Sequence, residues 1–289
     1  MPKTTLTLDV PGATLTYDIR GSLPAADGRV PLLLVGQPMD ASGFGTLASH
    51  FPDRTVVTYD PRGLGRSTRS DGDLTNSPQQ QAEDLHRLIG ELGGSVDLFG
   101  SSGGAVTGLH LVATHPQDVR VLVAHEPPVL SVLPDAAQAF AAEQRVQEVY
   151  HQRGWGAGMA AFIALTSVQG PFPDDFGREL PDPATFGLPT ADDGSRVDPL
   201  LSGASNAVTA YRPDVAALTG APTRVVVAGG VESQDTLTWR TSAALADALG
   251  QPLTVFPSNH GGFLGGEFGQ AGQPEAFAAR LREVLDGAG

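Results

Sequence analysis

A serine set among glycines is the first feature of the sequence that could carry out chemistry. Gly100-Ser101-Ser102-Gly103-Gly104 fits the pattern G-x-S-x-G, and it lies between an apolar run and a stretch with helical spacing. A serine on a tight strand-to-helix turn exposes its hydroxyl, and the start of the helix favours negative charge beside it. The chain contains 36 glycines, so these five residues alone also fit a flexible turn. Ser102 is therefore a candidate nucleophile, and the rest of the sequence must distinguish a catalytic serine from a flexible turn.

A late histidine could activate that serine. A serine hydroxyl is unreactive at neutral pH unless a neighbouring imidazole accepts its proton. His260 stands in the segment Ser258–Phe263, directly after the last apolar run of the chain. Of the other histidines, His125 ends an apolar run and could line a pocket. The remaining ones are His50, His86, His110, His115 and His151.

Short apolar runs separate these motifs and predict the strands that must position them. Continuous apolar runs of four to eight residues are typical of strands buried on both faces. These runs are Pro31–Val35, Thr55–Tyr59, Val96–Phe99, Val119–Ala124, Thr223–Ala228 and the shorter Leu253–Phe256. Before them, Thr4–Asp9 and Ala13–Arg20 alternate apolar and polar residues around Pro11-Gly12, which predicts an antiparallel hairpin.

Helical spacing fills most of the intervals between the apolar runs. The predicted helices are Ser77–Leu92, Gly103–His115, Thr236–Leu249 and Pro274–Leu285. Alternation of strands and helices at this pace predicts an α/β fold, with a mostly parallel central sheet and helices on both faces.

One long segment interrupts the alternation. Pro127–Ala221 contains no convincing strand. Its predicted helices are Asp135–Gln152, Trp155–Val168 and Pro199–Tyr211, and Gly170–Leu200 is rich in Pro, Gly and Asp, which predicts an irregular loop. We therefore expect a core formed by residues 1–126 and 222–289. A helical cap, residues 127–221, is expected as an insertion after the sixth predicted strand.

Taken together, the motifs resemble the α/β-hydrolase fold superfamily, in its serine hydrolase branch with a helical cap. The resemblance rests on the turn Asp60–Ser67, which reads D-x-R-G-x-G-x-S, on Val35-Gly36-Gln37-Pro38, on the serine turn and on His260, in the order of that family. It extends over essentially the whole chain. It implies a triad of Ser102 as nucleophile, His260 as base and an acid that orients the histidine.

The resemblance leaves the identity of the acid open among three carboxylates. Glu232 is preferred, because it follows Gly229 by three residues in the loop where the family usually places its acid. Asp235 is a neighbour that could replace Glu232 or cap the following helix. Glu126 stands just after another predicted strand, where some relatives carry the acid.

The same resemblance implies an oxyanion hole made of two backbone N–H groups. Gly103, after the nucleophile, and Gln37 are the expected donors, with Met39 in reserve, because Pro38 has no N–H. Val35 replaces the histidine that the family commonly has at this position, which puts details of the loop in doubt more than the mechanism. The residues expected to line the substrate pocket are Met39, Ser101, Glu126, Trp155, Phe162 and Phe263.

Composition excludes several other classes of protein. The formal net charge of −14 argues against a general nucleic-acid binder and a polybasic membrane anchor. The chain has no cysteine and only one lysine, Lys3, so thiol and Schiff-base chemistry are not expected. No signal peptide is visible, and a cytoplasmic location is expected. We expect neither a metal nor a cofactor, and a small molecule as the binding partner.

The sequence thus predicts a serine hydrolase that cleaves a small to medium, mostly apolar carboxylic ester. The same triad could instead serve perhydrolysis, thioester or C–C bond cleavage, or acyl transfer. A non-catalytic ligand-binding member of the fold is the second alternative, and fold alone does not separate these functions.

Overall fold

The computed structural model describes residues 3–25 and 28–287, and its centre is one mixed sheet. The strands are β1 (Lys3–Val10), β2 (Ala13–Arg20), β3 (Leu32–Val35), β4 (Val56–Asp60), β5 (Thr68–Arg69), β6 (Val96–Ser101), β7 (Val119–His125), β8 (Arg224–Gly230) and β9 (Thr254–Phe256). Their order in the sheet is β1-β2-β4-β3-β6-β7-β8-β9, and β5 pairs with β2. The strands from β4 to β9 along this order run parallel, whereas β1 and β2 form the predicted antiparallel hairpin.

Helices cover both faces of this sheet, as predicted. They are α1 (Gly45–Ser49), α2 (Pro78–Glu91), α3 (Gly103–Thr114), α4 (Ala136–Arg153), α5 (Trp155–Thr166), α6 (Asn206–Thr209), α7 (Val215–Gly220), α8 (Leu237–Ala248) and α9 (Pro274–Leu285). On β3, Leu33 packs into the apolar core under α2, α3 and α8, while its neighbour Leu34 packs into the core under α1 and α9. This alternation follows from the period of two along a strand.

The segment between β7 and β8 consists of helices and loops, as the sequence predicts. Helices α4 and α5 enclose an apolar cluster of their own, which includes Val146, Tyr150 and Leu165. Because the two-residue strand β5 was not predicted, this insertion follows the seventh strand and not the sixth. The division into core and cap stays a prediction, and its outermost residues 1–2 and 288–289 lie outside the described part of the chain.

The predicted helix Pro199–Tyr211 is mostly wrong, since only α6 is helical there. The Asp198 carboxylate accepts hydrogen bonds from the N–H groups of Leu200 and Leu201, each at 2.9 Å. Such a local side-chain turn competes with helical pairing of the backbone. The helix consequently begins later and is short.

The register of the parallel strands decides which residues meet at the carboxyl edge of the sheet. Ser101 at the end of β6 lies opposite His125 at the end of β7, and His125 lies opposite Ala228 of β8. Gly230 pairs with Phe256 of β9. The residues that follow these strands therefore gather at one edge, where ligands bind in open α/β sheets.

Candidate active site

Ser102 occupies a strained turn between β6 and α3. Its φ of 57° and ψ of −125° are rarely adopted by a residue with a side chain. Its N–H donates to the carbonyl of His125 at 2.9 Å, and its own carbonyl accepts the N–H of Ala105 at 3.0 Å. The turn is thus fixed to both neighbouring elements and exposes the side chain at the edge of the sheet.

Close packing explains the glycines of the G-x-S-x-G pattern. A Cβ atom on Gly100 would lie 2.7 Å from the carbonyl oxygen of Gly104. A Cβ atom on Gly104 would lie 2.2 Å from the carbonyl oxygen of Val35. Both contacts are too short for real atoms, so β3, β6 and α3 approach this closely only without side chains at these positions.

Glu126 is the carboxylate that pairs with His260. Its Oε2 lies 2.7 Å from His260 Nδ1 and accepts the Thr238 hydroxyl at 2.6 Å. Its Oε1 accepts the N–H of Gly230 at 2.9 Å. Glu126 is fully buried, whereas the side chain of His260 is 44% exposed. A carboxylate at Nδ1 fixes the imidazole with its other nitrogen free to accept a proton.

The surroundings of Glu126 keep it ionised. Burial by itself opposes the charge, but the hydrogen bond from His260 and the positive charge that this ring can carry outweigh it. Together with the Thr238 hydroxyl, they hold the pKa of Glu126 well below its usual range. The pair is therefore built to stabilise a protonated His260.

The preference for Glu232 as the partner of His260 is thereby corrected. Residues 231–233 form a short 3-10 turn that leaves Glu232 exposed. Its carboxylate accepts hydrogen bonds from Ser258 at 3.1 Å and from Gln273 at 3.1 Å. Counting residues after Gly229 therefore selects a carboxylate that is bonded to Ser258 and Gln273, whereas the partner of His260 follows β7.

Asp235 has neither of the two roles considered for it. It is exposed and has a positive φ of 64°, and its carbonyl accepts the N–H of Gly170 at 2.8 Å. Thr236 is the N-cap of α8, and no side chain makes a capping hydrogen bond there. Asp235 therefore links α8 to the insertion through its backbone.

Two partners of Glu126, Thr238 and Gly230, were not anticipated from the sequence. Thr238 is in the first turn of α8, and Gly230 ends β8. The signal for Glu126 was its position directly after β7, because that strand lies between β6 and β8 in the sheet. The sequence does not reveal this neighbourhood until the order of the strands is known.

The loop after β3, residues 36–40, lies against the serine turn. Gly103, one of the two expected oxyanion donors, directs its N–H at the carbonyl of Gln37, at 3.2 Å. A Cβ on Gly103 would lie 2.9 Å from both Cβ and Cγ of Gln37. Gln37 itself is 2% exposed. The two expected donors are therefore in direct contact, and in this state the N–H of Gly103 is occupied.

The turn after β4 supports this loop. Asp60 accepts the N–H of Ala41 at 2.9 Å through one carboxylate oxygen, and through the other it accepts the side chain of Arg66 at 2.6 Å. Ser67 donates to the carbonyl of Asp60 at 2.6 Å and accepts the N–H of Thr16 at 2.8 Å. The D-x-R-G-x-G-x-S motif therefore connects the loop after β3 with β2.

Several residues expected to line the pocket have packing roles. Phe263 is 2% exposed, and its ring stacks on Phe44 with centroids 5.4 Å apart. Trp155 donates from its indole nitrogen to Asp198 at 3.0 Å, and Phe162 packs against the apolar cluster of the insertion. The other expected lining residues are buried Ser101, half-buried Met39 beside Gly36, and Glu126. The expectation of a pocket wall formed by Phe263 is therefore corrected, because its ring belongs to the core.

Residues 3–25 and 28–287 contain neither a candidate membrane-spanning helix nor a candidate metal-binding cluster. Within them, no helix is both long and apolar enough to cross a membrane. In the same residues, no group of three or more His, Asp or Glu side chains is arranged to hold a metal ion.

Comparison with known proteins agrees with this geometry. The sequence pattern of the alpha/beta hydrolase family matches residues 32–280 of this chain. The uncharacterized hydrolase YraK of Bacillus subtilis (strain 168) is 32% identical over 286 residues, which cover 97% of this chain and 95% of YraK.

Solved structures share the fold at lower identity. A thermophilic esterase from Thermogutta terrifontis superposes with a TM-score of 0.62 at 20% identity, over 100% of this chain and 99% of the esterase. The enol-lactonase from Burkholderia xenovorans LB400 superposes with a TM-score of 0.63 at 18% identity, over 97% of this chain and 100% of the lactonase. With the family match and the relationship to YraK, these similarities establish that the chain belongs to the alpha/beta hydrolase family.

Proposed function

We propose that this hydrolase is a serine carboxylesterase that cleaves small to medium, mostly apolar esters through an acyl-enzyme on Ser102. The observation that carries the proposal is the hydrogen bond between His260 Nδ1 and the buried carboxylate of Glu126, 2.7 Å long, at the sheet edge that holds the strained Ser102 turn. A nucleophile, a base and an orienting acid are the three groups that acyl transfer requires.

In the first half of the reaction, the Ser102 hydroxyl attacks the ester carbonyl and gives its proton to His260 Nε2. The carbonyl π electrons move to the oxygen, which becomes an oxyanion. The intermediate collapses when the bond to the alcohol oxygen breaks, and His260 returns the proton to the leaving alcohol. Glu126 stabilises the imidazolium that exists between these two proton transfers.

In the second half, water attacks the acyl carbon while His260 takes a proton from it. The bond between the acyl carbon and Ser102 Oγ breaks, and the proton returns to Ser102. In the free state the Ser102 hydroxyl makes no hydrogen bond to a side chain of the described residues. Such catalytic hydrogen bonds often form only in the substrate complex.

The oxyanion is bound by backbone N–H groups in this proposal. Gln37 supplies one donor. Gly103 supplies the second once its N–H turns from the Gln37 carbonyl to the substrate oxygen. Loss of one such donor typically raises the barrier by roughly 3 kcal/mol. Esterase and lactonase activities named for the structural relatives are in line with this chemistry, since a lactone is a cyclic ester.

Stopped-flow kinetics with para-nitrophenyl butyrate test the proposal. We expect a burst of nitrophenolate equal to the enzyme concentration, and a butyryl group on the Ser102 peptide after acid quench. Ser102→Ala serves as the control and should give neither. Hydrolysis by Ser102→Ala at the wild-type rate would overturn the proposal.

The acceptor that resolves the acyl-enzyme is a separate choice. Water gives ester hydrolysis, peroxide gives perhydrolysis, and an alcohol gives acyl transfer. Product analysis with these acceptors, and a parallel assay with a butyryl thioester, assigns the reaction within the same mechanism. We expect hydrolysis of the oxygen ester to dominate.

A further inference from the structure

Gln37 carries a buried amide that the protein does not satisfy. The residue is 2% exposed, yet neither Nε2 nor Oε1 has a hydrogen-bond partner among the described residues. An amide has two donor hydrogens and an accepting oxygen. Leaving such groups unpaired in the interior costs about 1–3 kcal/mol per group. An aliphatic side chain of the same size would avoid this cost.

A second buried glutamine provides the comparison. Gln81 on α2 is 1% exposed, and its Oε1 accepts the hydroxyl of Thr107 at 3.0 Å. At this position, the fold pairs the amide oxygen internally. Gln81 Nε2 has no partner among the described residues, so of the two glutamines only Gln37 leaves both ends of its amide unpaired. A buried polar group left unpaired by the protein calls for an explanation, and binding of a ligand is one.

The side chain of Gln37 packs against the residue that follows Ser102. Its Cβ and Cγ each lie 2.9 Å from the point that a Cβ on Gly103 would occupy. Gly103 directly follows the nucleophile, and its N–H contacts the Gln37 carbonyl. The amide group begins one bond beyond Cγ. It is therefore carried by a side chain that packs directly beside the residue following Ser102.

We propose that Gln37 is a specificity-determining residue whose side-chain amide binds an oxygen substituent on the acyl chain. The preferred substrates are esters with a hydroxyl or keto oxygen on the α or β carbon. This inference rests on the proposed function and refines it, since the rest of the substrate is apolar. A hydroxyl suits both amide atoms, because it donates to Oε1 and accepts from Nε2.

The limited reach of the side chain sets the position of the oxygen. The backbone N–H of Gln37 is proposed to hold the carbonyl oxygen, and the amide extends from the same residue through only three carbon–carbon bonds. Atoms two or three bonds from the scissile carbon are within this range. A site that hydrogen-bonds a substrate hydroxyl discriminates strongly against analogues without it, because its own polar groups are then left unpaired.

The test compares acyl preference in matched variants of the full chain. Gln37→Met has a similar size without polar side-chain atoms and keeps the backbone N–H, and Gln37→Leu is a second variant. Gln81→Met is the same substitution at the glutamine whose amide oxygen accepts a hydrogen bond from Thr107. The substrates are the para-nitrophenyl esters of butyrate, α-hydroxybutyrate and β-hydroxybutyrate. For each protein, kcat/KM with a hydroxylated ester is divided by kcat/KM with butyrate, so that intrinsic differences in ester reactivity cancel between proteins.

We expect the ratio for one hydroxylated ester to be at least tenfold higher in the wild type than in Gln37→Met or Gln37→Leu. Gln81→Met should keep the wild-type ratio. Gln37→Met should also unfold at a higher temperature, because it removes two unpaired buried groups. Equal ratios in the wild type and both Gln37 variants would overturn the proposal.

Labelling with a fluorophosphonate separates this result from failure of the proposed function. If Ser102 is labelled in all these proteins while the ratios are equal, only the role of Gln37 is overturned. If Ser102 of the folded wild type is not labelled, the proposed esterase mechanism itself is overturned, and the specificity proposal with it.

Discussion

Glu126 keeps its charge in a fully buried position because its two oxygens accept three hydrogen bonds. These come from Gly230, Thr238 and His260. Its backbone has a positive φ of 49°, which an L-residue rarely adopts. Backbone strain and full burial at one residue are costs that a purely structural carboxylate would not require. This combination favours Glu126 as the acid of the triad.

Substituting each candidate acid separates their roles. Glu126→Gln keeps the shape of the side chain but cannot hold the same tautomer or stabilise imidazolium, so kcat should fall by about 10³–10⁴. Glu232→Gln should stay within about threefold of the wild type, because an exposed hydrogen bond contributes little. Steady-state kinetics with para-nitrophenyl butyrate measure both variants. A large loss in Glu232→Gln together with an active Glu126→Gln would contradict the assignment.

The sequence predicts Ser102 and His260 as nucleophile and base through local motifs, but it ranks Glu232 above Glu126, the residue that is bonded to His260. Local motifs suffice for the first two because the serine turn needs its own neighbouring glycines and the histidine follows the last strand. The acid depends on which strands are adjacent, and on the short turn at residues 231–233 that directs Glu232 toward Ser258. Neither feature is encoded in the spacing of a few residues.

Among the elements, the turn after β4 holds together parts of the chain that are far apart in sequence. Arg62, 2% exposed, donates two hydrogen bonds to the buried carboxylate of Asp84 on α2, at 2.8 and 2.6 Å. It also contacts Asp71 at 3.0 Å. Burial raises the pKa of Asp84 against the opposing effect of Arg62. The pair therefore fixes α2 against the turn that supports the loop after β3.

Breaking the Arg62–Asp84 pair should lower the free energy of unfolding much more than breaking an exposed ion pair. Arg62→Met leaves Asp84 buried without its partner, and we expect the free energy of unfolding to fall by about 3–5 kcal/mol. The control is Arg87→Met, which removes an exposed pair with Glu83 and should cost less than about 0.5 kcal/mol. Urea unfolding followed by circular dichroism measures both. Equal small losses in the two variants would show that Arg62 is not a structural connector.

The sequence predicts strands correctly where burial on both faces requires a continuous run of apolar residues. The apolar residues of β3, β6 and β7 are buried, so hydrophobicity alone predicts these strands. It failed at Pro199–Tyr211, where the Asp198 side chain competes for backbone N–H groups. It also missed β5, because two residues carry no periodicity.

At the scale of the whole molecule, a buried histidine and a partly buried glutamate give the stability opposite dependences on pH. Burial among aromatic rings lowers the pKa of His125 to about 4. Burial against α6 raises the pKa of Glu143 on α4 to about 7, although the Thr209 hydroxyl bonded at 3.0 Å opposes the shift. Both groups therefore titrate over overlapping intervals, and variants are needed to separate them.

His125 should make the protein sensitive to acid. Its nitrogens have no hydrogen-bond partner among the described residues, and its ring lies 5.1 Å from that of Phe277. Between pH 6.5 and about 4, the unfolded chain binds a proton at this residue that the folded chain does not. The stability that neutral His125 contributes is therefore complete above pH 6.5 and decreases as the pH falls toward 4. His125→Phe should reduce this loss by about 1–3 kcal/mol in urea unfolding at pH 7 and pH 5.

A second histidine provides the control for that variant. His110 on α3 is partly buried, and its pKa is lowered mainly by burial. His110→Phe should change the loss between pH 7 and pH 5 less than His125→Phe does. An unchanged loss in His125→Phe would contradict the assignment of acid sensitivity to His125.

Glu143 should act in the opposite direction. Between pH 4.5 and about 7, the folded chain holds a proton that the unfolded chain releases. The stability that protonated Glu143 contributes is therefore complete below pH 4.5 and is lost as the pH rises through 7. Glu143→Gln keeps an acceptor for Thr209 without a charge, so it should stabilise the protein at pH 8 by about 1–3 kcal/mol and have little effect at pH 4.5. Urea midpoints at the two pH values measure the difference, and equal effects at both would contradict it.

The most direct measurement of the central claim is covalent labelling of the full chain by a fluorophosphonate, followed by peptide mapping. The account predicts one adduct, on Ser102, absent in Ser102→Ala and formed much more slowly in Glu126→Gln than in Glu232→Gln. A folded wild-type protein that takes no label, or takes it on another residue, would contradict the claim that Ser102, His260 and Glu126 form an esterase triad.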